Sequence, residues 1–360
     1  MIAPAPTLYS GRIFPGLRPF ESADALLFFG REEQTDELLR RLGDTRFLAV
    51  VGLSGSGKSS LVRAGLLPAL RRGHLAGASS QWRIAVMRPG SDPLGILAGE
   101  LNVTLGPRED RLRFLRSGRL GLVDAARRGG RPDENLLLVV DQFEEIFRFR
   151  SSNRDRAGEA AEFVELLIAA AREYEAEYRV YIVITMRSDF LGECAQFLGL
   201  PEILNESQYL VPRMTREELR EAIVGPAALG GVRVAEDLRE HLLDRTEEDR
   251  DQLPILQHLL MRMWEVRQPS GEGFLLTKDQ YEMVGGWEDA LNRHAEAISS
   301  VPEVNQVLLK RIFQRLTERV LTGQEVRRPA TVRELEQVAK APASEVTAVV
   351  ERFREESPIF

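Results

Sequence analysis

The fold is decided by residues 47–60, which read FLAVVGLSGSGKSS. The apolar run Phe47–Val51 is typical of a strand that is buried on both faces of a parallel sheet. It is followed directly by GLSGSGKS, a full match to the pattern G-x-x-x-x-G-K-[ST], and then by the helical residues Leu61–Ala64. This order of strand, glycine-rich loop and helix predicts a phosphate-binding loop for a nucleoside triphosphate.

Every part of this loop suits the phosphates of a nucleotide. Its glycines let backbone N–H groups wrap the β-phosphate, and the start of the next helix adds partial positive charge. We expect Lys58 to contact the β- and γ-phosphates and Ser59 to ligate Mg²⁺. A dinucleotide-binding loop would need G-x-G-x-x-G, which the residues after Gly57 do not match. The residues predicted to bind the nucleotide here are Gly52, Ser54, Gly55, Ser56, Gly57, Lys58, Ser59 and Ser60.

Three more apolar runs follow, separated by helical stretches: Trp82–Met87, Leu136–Val140 and Val180–Met186. This alternation predicts an α/β fold with a parallel sheet. Asp141 comes directly after one of these runs, in the position of a carboxylate that holds Mg²⁺. We therefore expect Ser59 and Asp141 to form the metal site.

Hydrolysis needs a group that takes a proton from the attacking water, and Gln142, directly after Asp141, cannot do so. Two carboxylates come slightly later, at Glu144 and Glu145, and each is a candidate catalytic base. The alternative for both residues is an acidic start to the next helix, which the helix dipole favours.

Arg187 follows the last of the apolar runs, at the carboxyl edge of the predicted sheet. Ligands of open α/β sheets bind at this edge, so Arg187 is a candidate sensor of the γ-phosphate. The alternative is a surface arginine that is paired with Asp189.

The composition is typical of a packed protein in a reducing compartment. The chain has 360 residues, 43% hydrophobic and 29% charged, which is ordinary for two or three globular domains. The formal net charge of −7 disfavours nucleic acid as a bulk partner. The single cysteine cannot form an internal disulfide, and no apolar run approaches the ~18 residues of a membrane span. We therefore expect a cytoplasmic protein with no membrane partner.

Beyond Arg187 the pattern changes to helices alone, which places a domain boundary near residue 212. Residues 1–22 are rich in proline and glycine and predict an extended arm. The last two predicted helices resemble a helix-turn-helix. The apolar residues that end at Phe360 predict that a wing strand follows the sequence.

Two of the helix starts are predicted by capping boxes, in which a hydroxyl residue is followed three positions later by Glu or Gln. They are Thr277 with Gln280 and Thr331 with Glu334. The first of them is expected to begin one long helix, Lys278–Ile298.

Taken together, these features resemble the STAND class of signal-transducing P-loop NTPases, and specifically its bacterial novel STAND group. The resemblance covers nearly the whole chain. It rests on the P-loop, on Asp141 with Glu144, on Arg187, and on two further stretches. FFGRE at residues 28–32 is similar to the adenine-side motif of the family, and LPIL at residues 253–256 is similar to the G-x-P motif of its helical lid.

The resemblance implies further site residues and the identity of the nucleotide. Phe29, Gly30 and Arg31 become expected contacts on the adenine side, and Pro254 an expected contact from the lid. The nucleotide is then ATP or ADP, with Mg²⁺. In the family, the acidic residue three positions after the magnesium aspartate is linked to hydrolysis, which favours Glu144 over Glu145 as the base.

The resemblance also implies an architecture and a mechanism. The arm (1–22) is followed by a P-loop NTPase domain (23–212), an all-helical lid (213–298) and an incomplete winged-helix domain (299–360). ADP holds the closed form, and a signal permits exchange for ATP and assembly of a homo-oligomer, with slow hydrolysis. Sensor repeats, such as a WD-type propeller, or an effector domain are expected outside this segment, in bacterial stress or antiviral defence.

Two other functions stay open. An initiator-type ATPase that acts on DNA would also join a P-loop core to a winged helix. Against it, the last predicted helix, Ser344–Glu355, has more acidic than basic side chains, which a phosphate-facing helix would avoid. A nucleotide-bound scaffold without catalysis is the other alternative, because Gln142 removes the commonest base.

Overall fold

The structure of the protein is a computed structural model that describes residues 11–101, 106–131, 133–150, 154–173, 179–248, 253–267, 269–270, 273–299, 306–319, 325–327 and 330–356. The chain forms two compact units. The core unit comprises residues 19–225 and 249–253, and the helical unit comprises residues 1–18, 226–248 and 254–360. The start of the predicted arm, 1–10, and the chain end at 357–360 lie outside the described residues.

A five-stranded parallel sheet forms the centre of the core unit, with the strand order β2-β3-β4-β1-β5. The predicted parallel α/β fold is therefore confirmed. Strands β1 to β4 match the four predicted apolar runs to within one residue at each end, whereas β5 is short, is only partly buried and was not predicted. The strands are β1 (Phe47–Gly52), β2 (Trp82–Met87), β3 (Asn135–Val140), β4 (Val180–Arg187) and β5 (Gln208–Leu210).

Both faces of this sheet are covered, which explains why its strands are continuous apolar runs. Along β1, Phe47, Ala49 and Val51 pack into one hydrophobic core, and Leu48 and Val50 pack into another. The α-helices of the core unit are α1 (Glu32–Thr45), α2 (Lys58–Ser60), α3 (Leu67–Arg71), α4 (Pro93–Glu100), α5 (Arg108–Leu115), α6 (Gly121–Gly129), α7 (Glu145–Arg150), α8 (Arg154–Arg172), α9 (Leu200–Ser207) and α10 (Arg216–Leu229), whose last residues belong to the helical unit.

Short helical turns of other kinds connect these elements. A π-helical turn, Leu61–Leu66, joins α2 to α3 and makes one continuous helix after the glycine-rich loop. Among the described residues, three 3₁₀-helices span Ser22–Leu27, Ser188–Phe190 and Gly192–Gln196.

The helical unit confirms the predicted helical C-terminal part and adds short strands to it. Its helices are α11 (Glu236–Glu248), α12 (Leu253–Glu265), α13 (Lys278–Met283), α14 (Gly286–Ser299), α15 (Gln306–Leu316), α16 (Val332–Ala339) and α17 (Ala343–Glu356). A three-stranded sheet has the order β6-β8-β7, and β9 pairs with β10 in an antiparallel hairpin. These strands are β6 (Val232–Val234), β7 (Pro269–Ser270), β8 (Gly273–Leu276), β9 (Thr317–Arg319) and β10 (Glu325–Arg327).

Both predicted capping boxes are present, at the starts of α13 and α16. The single long helix predicted from Lys278 is wrong, because the chain breaks it into α13 and α14. Gly285 and Gly286, at the break, have φ of 104° and 59°, which only glycine adopts readily. Helices α15 to α17 share a hydrophobic core of their own, centred on the fully buried Ile312 and Phe353.

Among the described residues, no helix has both the length and the apolar character needed to cross a membrane. The predicted location in the cytoplasm stays a prediction.

The helical unit contains a pair of buried histidines that lie close together. His258 of α12 and His294 of α14 are 1% and 5% exposed, and their ring centroids lie 5.1 Å apart. Burial lowers the pKa of His258 to about 4, and burial together with the Arg262 charge lowers the pKa of His294 to about 3. An unfolded chain binds these protons at higher pH than the folded chain does.

We therefore predict that the free energy of unfolding falls as the pH is lowered from about 6.5 towards 4, by up to about 1.4 kcal/mol per pH unit for each histidine. Urea unfolding at a series of pH values measures this. The His258→Phe/His294→Phe variant should flatten the profile, whereas His74→Gln, at an exposed histidine, should leave it unchanged. An equally steep profile in the double variant would contradict the assignment.

Candidate nucleotide-binding site

The register of the sheet brings the ends of three strands together beside the glycine-rich loop. Gly52 of β1 pairs with Arg187 of β4, and Val140 of β3 pairs with Ile184 of β4. Asp141, one residue beyond β3, therefore lies beside Thr185. The predicted loop, metal and sensor residues thus share the carboxyl edge of the sheet.

The loop between β1 and α2 has the backbone of a phosphate cradle. Gly55 and Gly57 have φ of 80° and 85°, in the left-handed region that favours glycine. Gly57 directly precedes α2, so the unpaired N–H groups of the first helical turn face the loop. Ser54 is exposed and Ser56 is half-buried.

Lys58 is folded onto the loop itself. Its Nζ donates to the carbonyl oxygens of Gly52 at 3.0 Å and Leu53 at 2.6 Å. Burial lowers the pKa of Lys58, while the neighbouring carboxylate of Glu144 raises it. The lysine is thus half-buried, held by neutral acceptors, and within electrostatic range of the charged groups at the sheet edge.

Asp141 is 1% exposed, and both of its carboxylate oxygens are engaged. Oδ1 accepts hydrogen bonds from Ser59 Oγ at 2.7 Å and from Thr185 Oγ1 at 2.6 Å. Oδ2 forms an ion pair with Arg63 Nη2 at 2.8 Å. A buried carboxylate needs such compensation, so this network fixes Asp141 beside the P-loop helix.

The donor set of Ser59 and Asp141 fits Mg²⁺, which prefers oxygen ligands and takes only one or two of them from the protein. Because the Ser59 hydroxyl donates its proton to Asp141, its oxygen lone pairs stay available to a cation. The predicted assignment of both residues to the metal therefore agrees with the chemistry of the groups, and it stays a prediction.

Thr185 is a site residue that the sequence analysis missed. Its Oγ1 donates to Asp141 and accepts the N–H of Gln142 at 3.0 Å, and its carbonyl accepts the N–H of Phe143 at 2.8 Å. Gln142 has a φ of 58°, so the chain turns sharply after Asp141 and Thr185 holds the turn. The signal in the sequence was a hydroxyl residue inside the apolar run Val180–Met186.

Glu144 and Glu145 are adjacent, but their carboxylates have different surroundings. Glu144 is 7% exposed, accepts the N–H of Arg187 at 3.4 Å through Oε2, and raises the pKa of Lys58. Glu145 begins α7, and its Oε2 accepts the N–H of Gly90 at 3.0 Å. The Glu144 carboxylate therefore acts on the loop lysine, whereas an oxygen of Glu145 is held by the loop that follows β2.

Arg187 is paired with Asp189 and also lies close to the glycine-rich loop. Its Nη2 donates to Asp189 Oδ2, and its guanidinium lies 5.8 Å from the centre of the Phe190 ring. Its charge also lowers the pKa of Lys58, so it is close to the loop. Its Nε is buried and has no hydrogen-bond partner within the part of the chain that the structure describes.

Phe29, Gly30 and Arg31 form a tightly packed corner of the core unit. A Cβ on Gly30 would lie 2.3 Å from the carbonyl oxygen of Glu218, and a Cβ on Gly225 would lie 2.6 Å from the Phe29 ring. Arg31 is 5% exposed, and its Nη2 donates to the carbonyl of Pro212 at 3.0 Å. Burial lowers the pKa of Arg31, and Glu218 opposes this. The predicted adenine contacts of these residues stay predictions.

Two other predicted residues have defined places. Ser60 lies in α2, and its Oγ accepts the N–H of Phe20 at 3.1 Å. Its hydroxyl therefore binds the backbone of the N-terminal arm. Pro254 is in the first turn of α12, where proline is tolerated, and belongs to the helical unit. Its contact with the nucleotide stays a prediction.

A strand, a glycine-rich loop and a helix, with Lys58 and Ser59 beside Asp141, define the site of a P-loop NTPase. A family model for Novel STAND NTPase 1 (nSTAND1) matches residues 14–358. The chain therefore belongs to this family, and the resemblance found in the sequence is confirmed. No curated protein matches the chain.

Solved structures of P-loop ATPases are also similar to the chain. The Aeropyrum pernix ORC2 protein in its ADPNP-ADP complexes is 14% identical, with a TM-score of 0.48 over 90% of this chain and 85% of that chain. Cdc6p of Pyrobaculum aerophilum is 15% identical (TM-score 0.43, 91% and 86%), and a Walker-type ATPase of Pyrococcus abyssi is 17% identical (TM-score 0.43, 94% and 92%).

The corner around Gly30 gives a stability prediction with a matched control. Gly30→Ala places a side chain on a residue with a φ of 79° and brings its Cβ against the Glu218 carbonyl. The variant should therefore lower the free energy of unfolding by about 3 kcal/mol. Gly77→Ala has a φ of 74° but nothing within 4 Å, and should cost only about 1 kcal/mol. Urea unfolding of both variants measures the difference, and equal losses would show that the close approach at Gly30 is relaxed.

Proposed function

We propose that the protein is an ATP-binding switch in signal transduction, with a closed ADP form, an open ATP form, slow hydrolysis and assembly of a homo-oligomer in the ATP form. Membership of the novel STAND NTPase family supports this proposal. The observation that carries it is the buried carboxylate of Asp141, held by the hydroxyls of Ser59 and Thr185 beside Lys58. A role in bacterial stress or antiviral defence, with WD-type sensor repeats or an effector domain as partners, is part of the proposal.

The residues of the site divide the work as follows. The N–H groups after Gly57 bind the β-phosphate, and Lys58 leaves its carbonyl acceptors for the β- and γ-phosphate oxygens. Ser59 and Asp141 would hold Mg²⁺, which when bound would supply positive charge against the phosphates. Glu144, buried and close to Lys58, orients the attacking water and takes its proton.

Arg187 is the proposed γ-phosphate sensor. Its pairing with Asp189 is local and partly exposed, with 35% and 44% of the two side chains accessible, so a phosphate can replace that carboxylate at modest cost. Its backbone N–H also contacts Glu144, which links the sensor to the proposed base.

The domain assignment is likewise a proposal. We assign residues 23–212 to the NTPase domain, residues 213–298 to the lid with Pro254, and residues 299–360 to a winged-helix domain. The last assignment is supported by the separate hydrophobic core of α15 to α17 and by the hairpin of β9 and β10.

The first test is to identify the nucleotide that copurifies with the protein. We predict near-stoichiometric ADP after denaturation and chromatography of the wild type, and none from Lys58→Ala, because that variant loses the cation that binds the phosphates. An empty wild-type site that turns over added ATP would contradict a locked ADP form. That result would favour a motor-like or initiator-type ATPase, for which duplex DNA binding would be measured next.

The second test separates the two adjacent glutamates. Glu144→Gln should bind ATP as the wild type does but hydrolyse it at least about 100-fold more slowly, because an amide cannot take the proton. Glu145→Gln is the matched control and should keep its turnover, because an amide oxygen can still accept the Gly90 N–H. Single-turnover phosphate release measures both. Full turnover in Glu144→Gln would show that another group is the base.

A further inference from the structure

Arg63 lies in the π-helical turn after the P-loop and makes two ion pairs. Its Nη2 is 2.8 Å from Asp141 Oδ2, and its Nη1 is 2.5 Å from Glu21 Oε1. Only 17% of the Arg63 side chain is exposed, against 1% for Asp141 and 48% for Glu21. One guanidinium is therefore shared between a buried carboxylate and a partly exposed one.

The segment that carries Glu21 is fastened to the same helix at two further points. The N–H of Phe20 donates to Ser60 Oγ at 3.1 Å, and Ser22 Oγ donates to the carbonyl of Arg63 at 2.8 Å. The backbone N–H of Glu21 also donates to Asp24 Oδ2 at 2.8 Å, at the start of the 3₁₀-helix that begins at Ser22. These bonds hold Glu21 within reach of Arg63, so the shared pairing is built into the fold.

The local backbone also sets Arg63 apart. The residues Leu61–Leu66 form a π-helical turn inside an otherwise α-helical stretch. Such turns are rare in proteins, and those that occur are often found at functional sites. The Nε of Arg63 is buried without a hydrogen-bond partner among the described residues. Arg63 thus keeps its charge beside Asp141 although its Nε–H makes no hydrogen bond in this part of the structure.

Arg63 occupies the Asp141 oxygen that no hydroxyl uses. Under the proposed function, on which this inference rests, Asp141 holds Mg²⁺, and a guanidinium on the same carboxylate repels a divalent cation. We propose that Arg63 is a built-in counter-ion of Asp141 that sets how much Mg²⁺ nucleotide binding requires, and that Glu21 tunes this by drawing part of the guanidinium away. Arg63 is thus a positioning residue for the metal site.

The proposal predicts opposite effects for two variants. Arg63→Met removes the competing charge, so the Mg²⁺ concentration that half-saturates the nucleotide complex should fall by at least about tenfold. Glu21→Gln removes the charge of one of the two ion-pair partners of Arg63 and leaves that of Asp141. The half-saturating Mg²⁺ concentration should therefore rise by about threefold. Arg72→Met, at an exposed arginine beyond α3, is the matched control and should leave it unchanged.

The measurement uses the full chain and ADP that carries a fluorescent N-methylanthraniloyl group, with anisotropy recorded as MgCl₂ is titrated. Half-saturation at the wild-type concentration in both Arg63→Met and Glu21→Gln would overturn the inference while leaving the proposed function intact. If Arg63→Met does not fold, because Asp141 is left buried and unpaired, the direction of the Glu21→Gln shift decides alone. A wild type that binds no ADP at any Mg²⁺ concentration would overturn the proposed function, and this inference with it.

Discussion

A carboxylate that is 1% exposed has to be compensated, and Asp141 draws its partners from three elements. Ser59 comes from the P-loop helix, Thr185 from β4 and Arg63 from the π-helical turn. An unpaired buried charge would cost several kcal/mol by typical estimates, roughly half the stability of an ordinary domain. The loop, the sheet edge and the helix therefore depend on one another through this single group.

The parallel sheet makes this convergence possible. Since β4 lies between β1 and β3, the residue that follows β3 is adjacent to the end of β4, and the P-loop at the end of β1 lies one strand further away. The register places Gly52 opposite Arg187 and Val140 opposite Ile184, which puts Thr185 next to Asp141. A shift of one residue in the pairing of β3 with β4 would turn the hydroxyl of Thr185 to the other face of the sheet relative to Asp141 and leave the carboxylate without it.

The sequence predicted the elements better than the contacts between them. Strands β1 to β4 were found because both faces are buried, which leaves an apolar run, and the P-loop was found because its residues are contiguous. Thr185 and Arg63 were missed as partners of Asp141, because those contacts join residues that are 44 and 78 positions apart and no known motif links them, as one links Ser59 to Asp141. The choice between Glu144 and Glu145 depended on family resemblance, since the turn at Gln142 that separates their surroundings leaves no pattern in the sequence.

The charges of the site also bear on how it can work as a switch. Lys58 is held by loop carbonyls, Arg63 by Asp141 and Glu21, and Arg187 by Asp189. Each of these three cations already donates to an acceptor in the protein, so a polyphosphate that binds the same N–H groups replaces hydrogen bonds that are in place. The partly exposed pairs of Glu21 and Asp189 open at little cost, whereas the buried pair of Asp141 does not. Binding of a nucleotide would therefore rearrange the rim of the site before its centre, and a step that needs the Asp141 pair to open would be slow by comparison.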